Sequence, residues 1–156
     1  LSLHDALPIS SGQDLIVSCS ALQWFVSPEL FFKRCNALLS GHGYFAFSTF
    51  GKENLKEIAA VTGSGLHYYS LEELKKSLSM HYNIVTAGEE RIRLTFATPL
   101  DVLYHLKHTG VTAVCRQAWT KGDLQEFCDK YAKLFSCGNA VTLTYHPLYI
   151  IARKKP

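Results

Sequence analysis

The apolar and polar positions of this chain change period several times, and each change predicts an element. Asp14-Leu15-Ile16-Val17-Ser18 is a short, nearly all-apolar run between polar residues. A strand buried on both faces of a parallel sheet reads this way. Ser27-Pro28-Glu29 supplies an N-cap, a proline for the first helical position and an acid in the first turn. The helix it opens carries Leu30, Phe31, Cys35, Leu38 and Leu39, and Gly41 is placed to end it. Gly43 to Phe50 is β-rich. Strand, helix and strand at this spacing predict a parallel βαβ unit with a right-handed crossover.

Beyond Gly51 the period turns helical through Asn54-Leu55-Lys56-Glu57-Ile58, and Thr62-Gly63-Ser64-Gly65 breaks it. Ser70-Leu71-Glu72-Glu73 has the form of a capping box opening a helix to about Leu78. Thr98-Pro99-Leu100-Asp101 and Thr120-Lys121-Gly122-Asp123 open two more, ending near Gly110 and Phe135. Tyr82 to Thr86 and Arg91 to Phe96 are β-like, either one bent strand or a hairpin about Gly88-Glu89-Glu90. Val141 to His146 and Leu148 to Ala152 read as a last strand with Pro147 inside it, which suggests an edge position or a bulge. The whole is an α/β sheet with flanking helices and a late return of the chain.

Composition narrows the class. With 156 residues the length suits one domain, and 47% hydrophobic with 19% charged residues is ordinary for a folded globular protein. No apolar run approaches the roughly 18 residues of a membrane span. A net charge of +3 does not demand nucleic acid but favours an acidic partner. The five cysteines are scattered with no CxxC pair, which argues against a disulfide scaffold or zinc site and for a reduced, cytoplasmic compartment. Of the seven histidines only His105 and His108 stand at helical spacing, and two surface histidines on one helix explain them better than a metal does. The opening, Leu1 to Ser10, resembles the translated frame of a sequencing adapter, so residues 1–10 are expected to be a leader foreign to the fold and the domain to begin near Ser11.

Four blocks carry a family resemblance. Asp14-Leu15-Ile16-Val17-Ser18 followed by Ala21-Leu22-Gln23-Trp24-Phe25 resembles the fourth strand and following loop of the class I S-adenosylmethionine-dependent methyltransferases. Leu38 to Gly51 resembles the helix exit and fifth strand, Leu106 to Ala113 a further block, and Leu143-Thr144-Tyr145-His146 with Tyr149 to Lys154 the closing strand. Within that family the chain is most similar to the branch that methylates malonyl-acyl-carrier protein in biotin synthesis. The resemblance covers nearly all of residues 12–155. It implies a partial domain, residues 11–156, forming the C-terminal half of a Rossmann-like class I methyltransferase fold. His42 departs from the usual Gly-Gly pair, and Cys19 stands where a small polar residue such as Asn is common. The glycine-rich first loop and the acidic ribose-binding residue of this fold have no counterpart here.

The resemblance implies S-adenosyl-L-methionine as cofactor, a malonyl thioester as substrate and an acyl carrier protein as partner, with no metal. The substrate carboxylate is ionised at neutral pH, since ordinary carboxyl pKa values lie near 4. It is itself the nucleophile, so no catalytic side chain is sought. Ser18, Cys19, Ser20, Gln23 and Trp24 are the expected cofactor-binding residues, at the carboxyl edge of the sheet where ligands of this architecture bind. A packed Trp and a loop-capping Gln are the alternative there. A cation should hold one carboxylate oxygen while the other attacks. Arg91, Arg93, Lys107 and Arg116 are candidates, with Lys107 first, and Tyr145 and His146 could face the substrate. Lys33-Arg34, Lys75-Lys76 and Lys107-His108 are candidate docking patches for an acidic carrier, or plain solvated helix faces. A methyltransferase for another small molecule, or a non-catalytic binding fragment, remain as alternative readings.

Overall fold

The computed structural model describes residues 11–111 and 119–156. The expected leader, Cys115 and Arg116 lie outside the described residues. In chain order the elements are β1 (Gln13–Cys19), α1 (Pro28–Leu38), β2 (Leu39–Phe50), α2 (Lys56–Thr62), α3 (Leu71–Leu78), β3 (Tyr82–Glu89), β4 (Ile92–Phe96), α4 (Pro99–His108), α5 (Lys121–Phe135), β5 (Ser136–Cys137), β6 (Ala140–Tyr145) and β7 (Pro147–Lys154). Length suits one domain, and the described chain divides into two compact units.

The first unit comprises residues 11–52, His67–Glu90 and Pro147–Pro156. Its mixed four-stranded sheet has the order β1-β2-β7-β3. β1 and β2 are parallel, as the βαβ pattern predicts, and β7 runs antiparallel to both β2 and β3. Gly43 lies where β2 passes β1 closely: a Cβ there would stand 2.8 Å from the Gln13 carbonyl oxygen. On one face of the sheet Phe31, Phe32 and Cys35 of α1 and Leu74 and Leu78 of α3 pack against Phe45, Phe47, Tyr82, Leu148, Ile150 and Ala152. The Tyr82 hydroxyl donates to the buried Phe32 carbonyl at 3.0 Å.

The opposite face is bare. Pairing sets Leu15 beside Tyr44, Val17 beside Ala46, and Tyr44, Ala46 and Ser48 beside Arg153, Ile151 and Tyr149. Leu15 and Val17 are 56% and 59% exposed. The expectation that β1 is buried on both faces is therefore corrected. Its apolar run is real, but among the described residues no helix lies over that side.

The second unit comprises Glu53–Leu66 and Arg91–His146. Its antiparallel sheet has the order β4-β6-β5. Leu55, Ile58, Val61, Val102, Leu106, Phe127, Tyr131, Val141 and Leu143 form a core of their own. The predicted capping box at Ser70 is formed, and the predicted caps at Thr98 and Thr120 prove to be capping boxes as well, each with the acid three residues on answering the cap backbone.

Three further expectations are corrected. α1 ends at Leu38 and not Gly41, because Leu39 already takes extended angles (φ −75°, ψ 145°) and begins β2. Tyr82–Glu89 and Ile92–Phe96 are neither one bent strand nor a hairpin: β3 pairs with β7 and β4 with β6. The last apolar stretch is two strands in two sheets, divided at His146. Pro147 is no bulge in an edge strand but the first residue of a central one, where its missing N–H is tolerated.

Candidate functional site

The parallel strands β1 and β2 end side by side, and the residues after β1 turn away from the sheet over that end. Ser20 makes the turn in the left-handed region (φ 49°), with its N–H donating to the Ser48 carbonyl at 3.0 Å. The turn is then held from above by Gln23. Its amide nitrogen donates to the Ser20 carbonyl at 2.6 Å, and its amide oxygen accepts from the Thr49 hydroxyl at 3.2 Å. Leu22 anchors the following 3-10 turn in the core, so Trp24 is presented outward, 52% exposed. Ser18, Cys19, Ser20, Gln23 and Trp24 are thus brought together at one sheet end. Gln23 takes the loop-holding part, while Cys19, Ser20 and Trp24 offer exposed surface.

Beside Gln23 lies a shallow surface dimple, lined by Leu22, Gln23, Thr49, Phe50, His67, Tyr68, Tyr69 and Leu74 and with no room for a bound molecule. The sequence pattern marked neither His67 nor Thr49. His67 follows the glycine-rich break, which read only as an interruption between helices, and Thr49 is one of many β-formers in β2. The His67 and Tyr69 rings meet edge to face at 4.8 Å.

The substrate-side candidates fall in the second unit. His146 is buried and saturated: its ring Nδ1 accepts from the Glu53 N–H at 3.1 Å, and its own N–H donates to Asn54 Oδ1 at 3.2 Å. Tyr145 is half-buried with its hydroxyl 3.0 Å from His105 Nε2, and burial raises its pKa. Arg93 on β4 and Lys107 in the last turn of α4 are exposed and make no ion pair among the described residues. Arg91 is engaged with Glu53, whose carboxyl is held down to about 2 chiefly by that bond and by Lys56. Glu57 was not anticipated. Its buried carboxylate accepts from the N–H and the hydroxyl of Thr144, fastening α2 to β6. Of the basic pairs, Lys33-Arg34 and Lys107-His108 are exposed, and Lys75 is paired with Glu72. Among the described residues no three His, Cys, Asp or Glu side chains gather as metal ligands, and no helix is long and apolar enough to cross a membrane.

Comparison with known proteins now bears on this arrangement. The chain is 57% identical over 151 residues to the malonyl-[acyl-carrier protein] O-methyltransferase of Bacteroides thetaiotaomicron, covering 90% of this chain and 58% of that protein. This chain is a homologue of part of the malonyl-[acyl-carrier protein] O-methyltransferases. The proteins of that name from Bacteroides fragilis and Porphyromonas gingivalis are 56% and 46% identical, over 97% and 96% of this chain. The chain spans 31% and 60% of their lengths, so it matches only a portion of each. No family model matches. Among solved structures, one from Bacillus halodurans C-125 described as a methyltransferase superposes with a TM-score of 0.63 at 14% identity, over 97% of this chain and 68% of that one. The YcgJ protein of Bacillus subtilis follows at 0.56 and 12%, over 97% and 68%. At such identities the likeness shows the fold alone: a mixed α/β methyltransferase fold with flanking helices, as the sequence implies.

Proposed function

We propose that this chain is part of an S-adenosylmethionine-dependent O-methyltransferase acting on the free carboxylate of a malonyl thioester carried by acyl carrier protein. The observation that carries this reading is the 57% identity over 151 residues to a protein of that activity. Under this reading the additional length of the matched relatives covers the bare sheet face and pairs with the open edge of β1.

The residues present fit one side of the cofactor. Cys19, Ser20 and Trp24 are exposed, the last presenting a flat indole, at the carboxyl end of a parallel strand pair, where ligands bind in this architecture. Ser18 to Ser20 and Trp24 would hold it there, with Gln23 keeping their loop in shape. When bound, S-adenosylmethionine supplies a methyl on a sulfonium: the carboxylate oxygen forms the O–CH3 bond as the S–CH3 bond breaks, and a neutral thioether leaves. No proton moves, so the protein's tasks are alignment and exclusion of water. Alignment of this kind is worth about 7–11 kcal/mol. An acidic carrier would meet the exposed Lys33-Arg34 or Lys107-His108 pairs through salt-sensitive attraction.

A chimera tests this, in which residues 11–156 replace the matched portion of the Bacteroides thetaiotaomicron relative. It should transfer labelled methyl from S-adenosylmethionine to malonyl-acyl-carrier protein and not to the acetyl form. An inactive but folded chimera would contradict the reading.

A further inference from the structure

α1 begins where the loop after β1 ends, at the carboxyl end of the parallel strand pair. Phe25 is partly buried and its ring stacks on that of Phe31 at 4.4 Å. Its neighbours Trp24 and Val26 stay 52% and 100% exposed. Leu30, in the first turn of the helix, is 62% exposed. Lys33 and Arg34 follow Leu30 by three and four residues and are exposed too, so all three share the solvent side of α1. Apolar positions at the sheet end thus give way to basic ones within about 6 Å along the helix axis.

The basic pair is uncommitted. Glu29 stands four residues before Lys33, yet its carboxylate accepts from the hydroxyls of Ser27 and Ser77 at 3.0 and 3.3 Å. Lys33 and Arg34 make no ion pair among the described residues. The other basic pairs differ: Lys75 is held by Glu72, and Lys107-His108 belong to the second unit. Exposed apolar side chains beside free cations suit an acidic protein, because apolar burial supplies affinity while opposite charge steers the approach. A nucleic acid would engage the cations through its phosphates and leave the apolar side chains in water.

We propose that the solvent side of α1 is the docking surface for the acidic acyl carrier protein. Lys33 and Arg34 pair with carrier carboxylates, Val26 and Leu30 make the apolar contact, and the thioester arm passes Trp24 to reach the loop after β1. The assignment rests on the methyl-transfer reading above and selects one of the two basic pairs that reading leaves open.

The test titrates malonyl-acyl-carrier protein of Bacteroides thetaiotaomicron into the nitrogen-labelled 156-residue chain and follows the backbone amide signals. Signals between Trp24 and Ala37 should shift and saturate, and affinity should fall as salt rises. Lys33→Glu with Arg34→Glu should weaken binding about tenfold or more with an unchanged circular dichroism spectrum, and Leu30→Ser about fivefold. The same charge reversal at the exposed Lys121 and Lys133 of α5 should leave affinity within about twofold. Binding that survives reversal at Lys33 and Arg34 but is lost with Lys107→Glu would overturn the surface. Equal losses from the α1 and α5 reversals would overturn it as well, and so would equal competition by a DNA duplex. Silence of every signal would overturn it, because the surface needs no residue outside the first unit. The methyl-transfer reading is judged apart from these outcomes, by turnover of the chimera on malonyl-pantetheine, which has no carrier to dock.

Discussion

Phe45, Phe47, Ile150 and Ala152 on one face of the four-stranded sheet are no more than 4% exposed beneath α1 and α3. Leu15, Val17, Tyr149 and Ile151 are just as apolar and belong to the opposite face, yet they are 38% to 59% exposed. The two faces differ in what lies over them, not in the kind of side chain they present. An apolar strand thus states a need for cover and not who provides it. A contiguous apolar face left open is uncommon on a soluble monomer and marks an interaction surface. The contrast also separates what this chain stabilises by itself from what the longer relatives have further length to supply.

The sharpest way to break the contrast is to truncate one residue on each face. Phe45→Ala should cost about 3–5 kcal/mol, read from urea unfolding, because a large buried ring leaves a cavity. A cost below 1 kcal/mol would mean that the covered face is not the load of the fold. Tyr82→Phe on the same face removes the hydroxyl's bond to the Phe32 carbonyl, which keeps its partner within the helix, and should cost about 1 kcal/mol.

A smaller effect concerns the helix that covers the face. At the start of α3, Glu73 bonds to Lys52 first and then to the backbone and hydroxyl of Ser70, and its carboxyl is held down to about 2. A folded-state value below the unfolded one near 4 means a contribution complete above that range. It should decline as pH falls from about 4 to about 2. Glu73→Gln should flatten that part of the stability–pH curve, and salt should shrink the difference because the group is exposed.

On the bare face Val17→Thr should change stability by less than about 0.5 kcal/mol and raise the concentration at which the chain precipitates. A loss as large as that of Phe45→Ala would show that the face is covered after all.

Local signals were legible wherever the chemistry is local. The three capping boxes at Ser70, Thr98 and Thr120 need only a hydroxyl and an acid three residues on, and all three formed. The β1–α1–β2 unit followed from period and spacing. Partnership was not legible. The stretch from Val141 to Ala152 shows no break in apolar pattern, yet His146 divides it between two sheets. That division is held by Asn54 and Glu53, 92 and 93 residues away in the chain. For the same reason the loop after β1 could be singled out from its own residues, while the dimple beside it draws on Thr49 and His67 from distant segments. Glu57 likewise shows nothing in the sequence that forecasts its hold on Thr144, 87 residues on.

The central claim is that this chain carries one wall of a methyl-donor site and depends on further chain for the rest. The most direct test is a calorimetric titration of S-adenosylmethionine into the 156-residue chain and, side by side, into the chimera with the Bacteroides thetaiotaomicron relative. The account predicts micromolar binding by the chimera and no measurable binding by the chain alone. Equal binding by both, or none by a folded chimera, would contradict it.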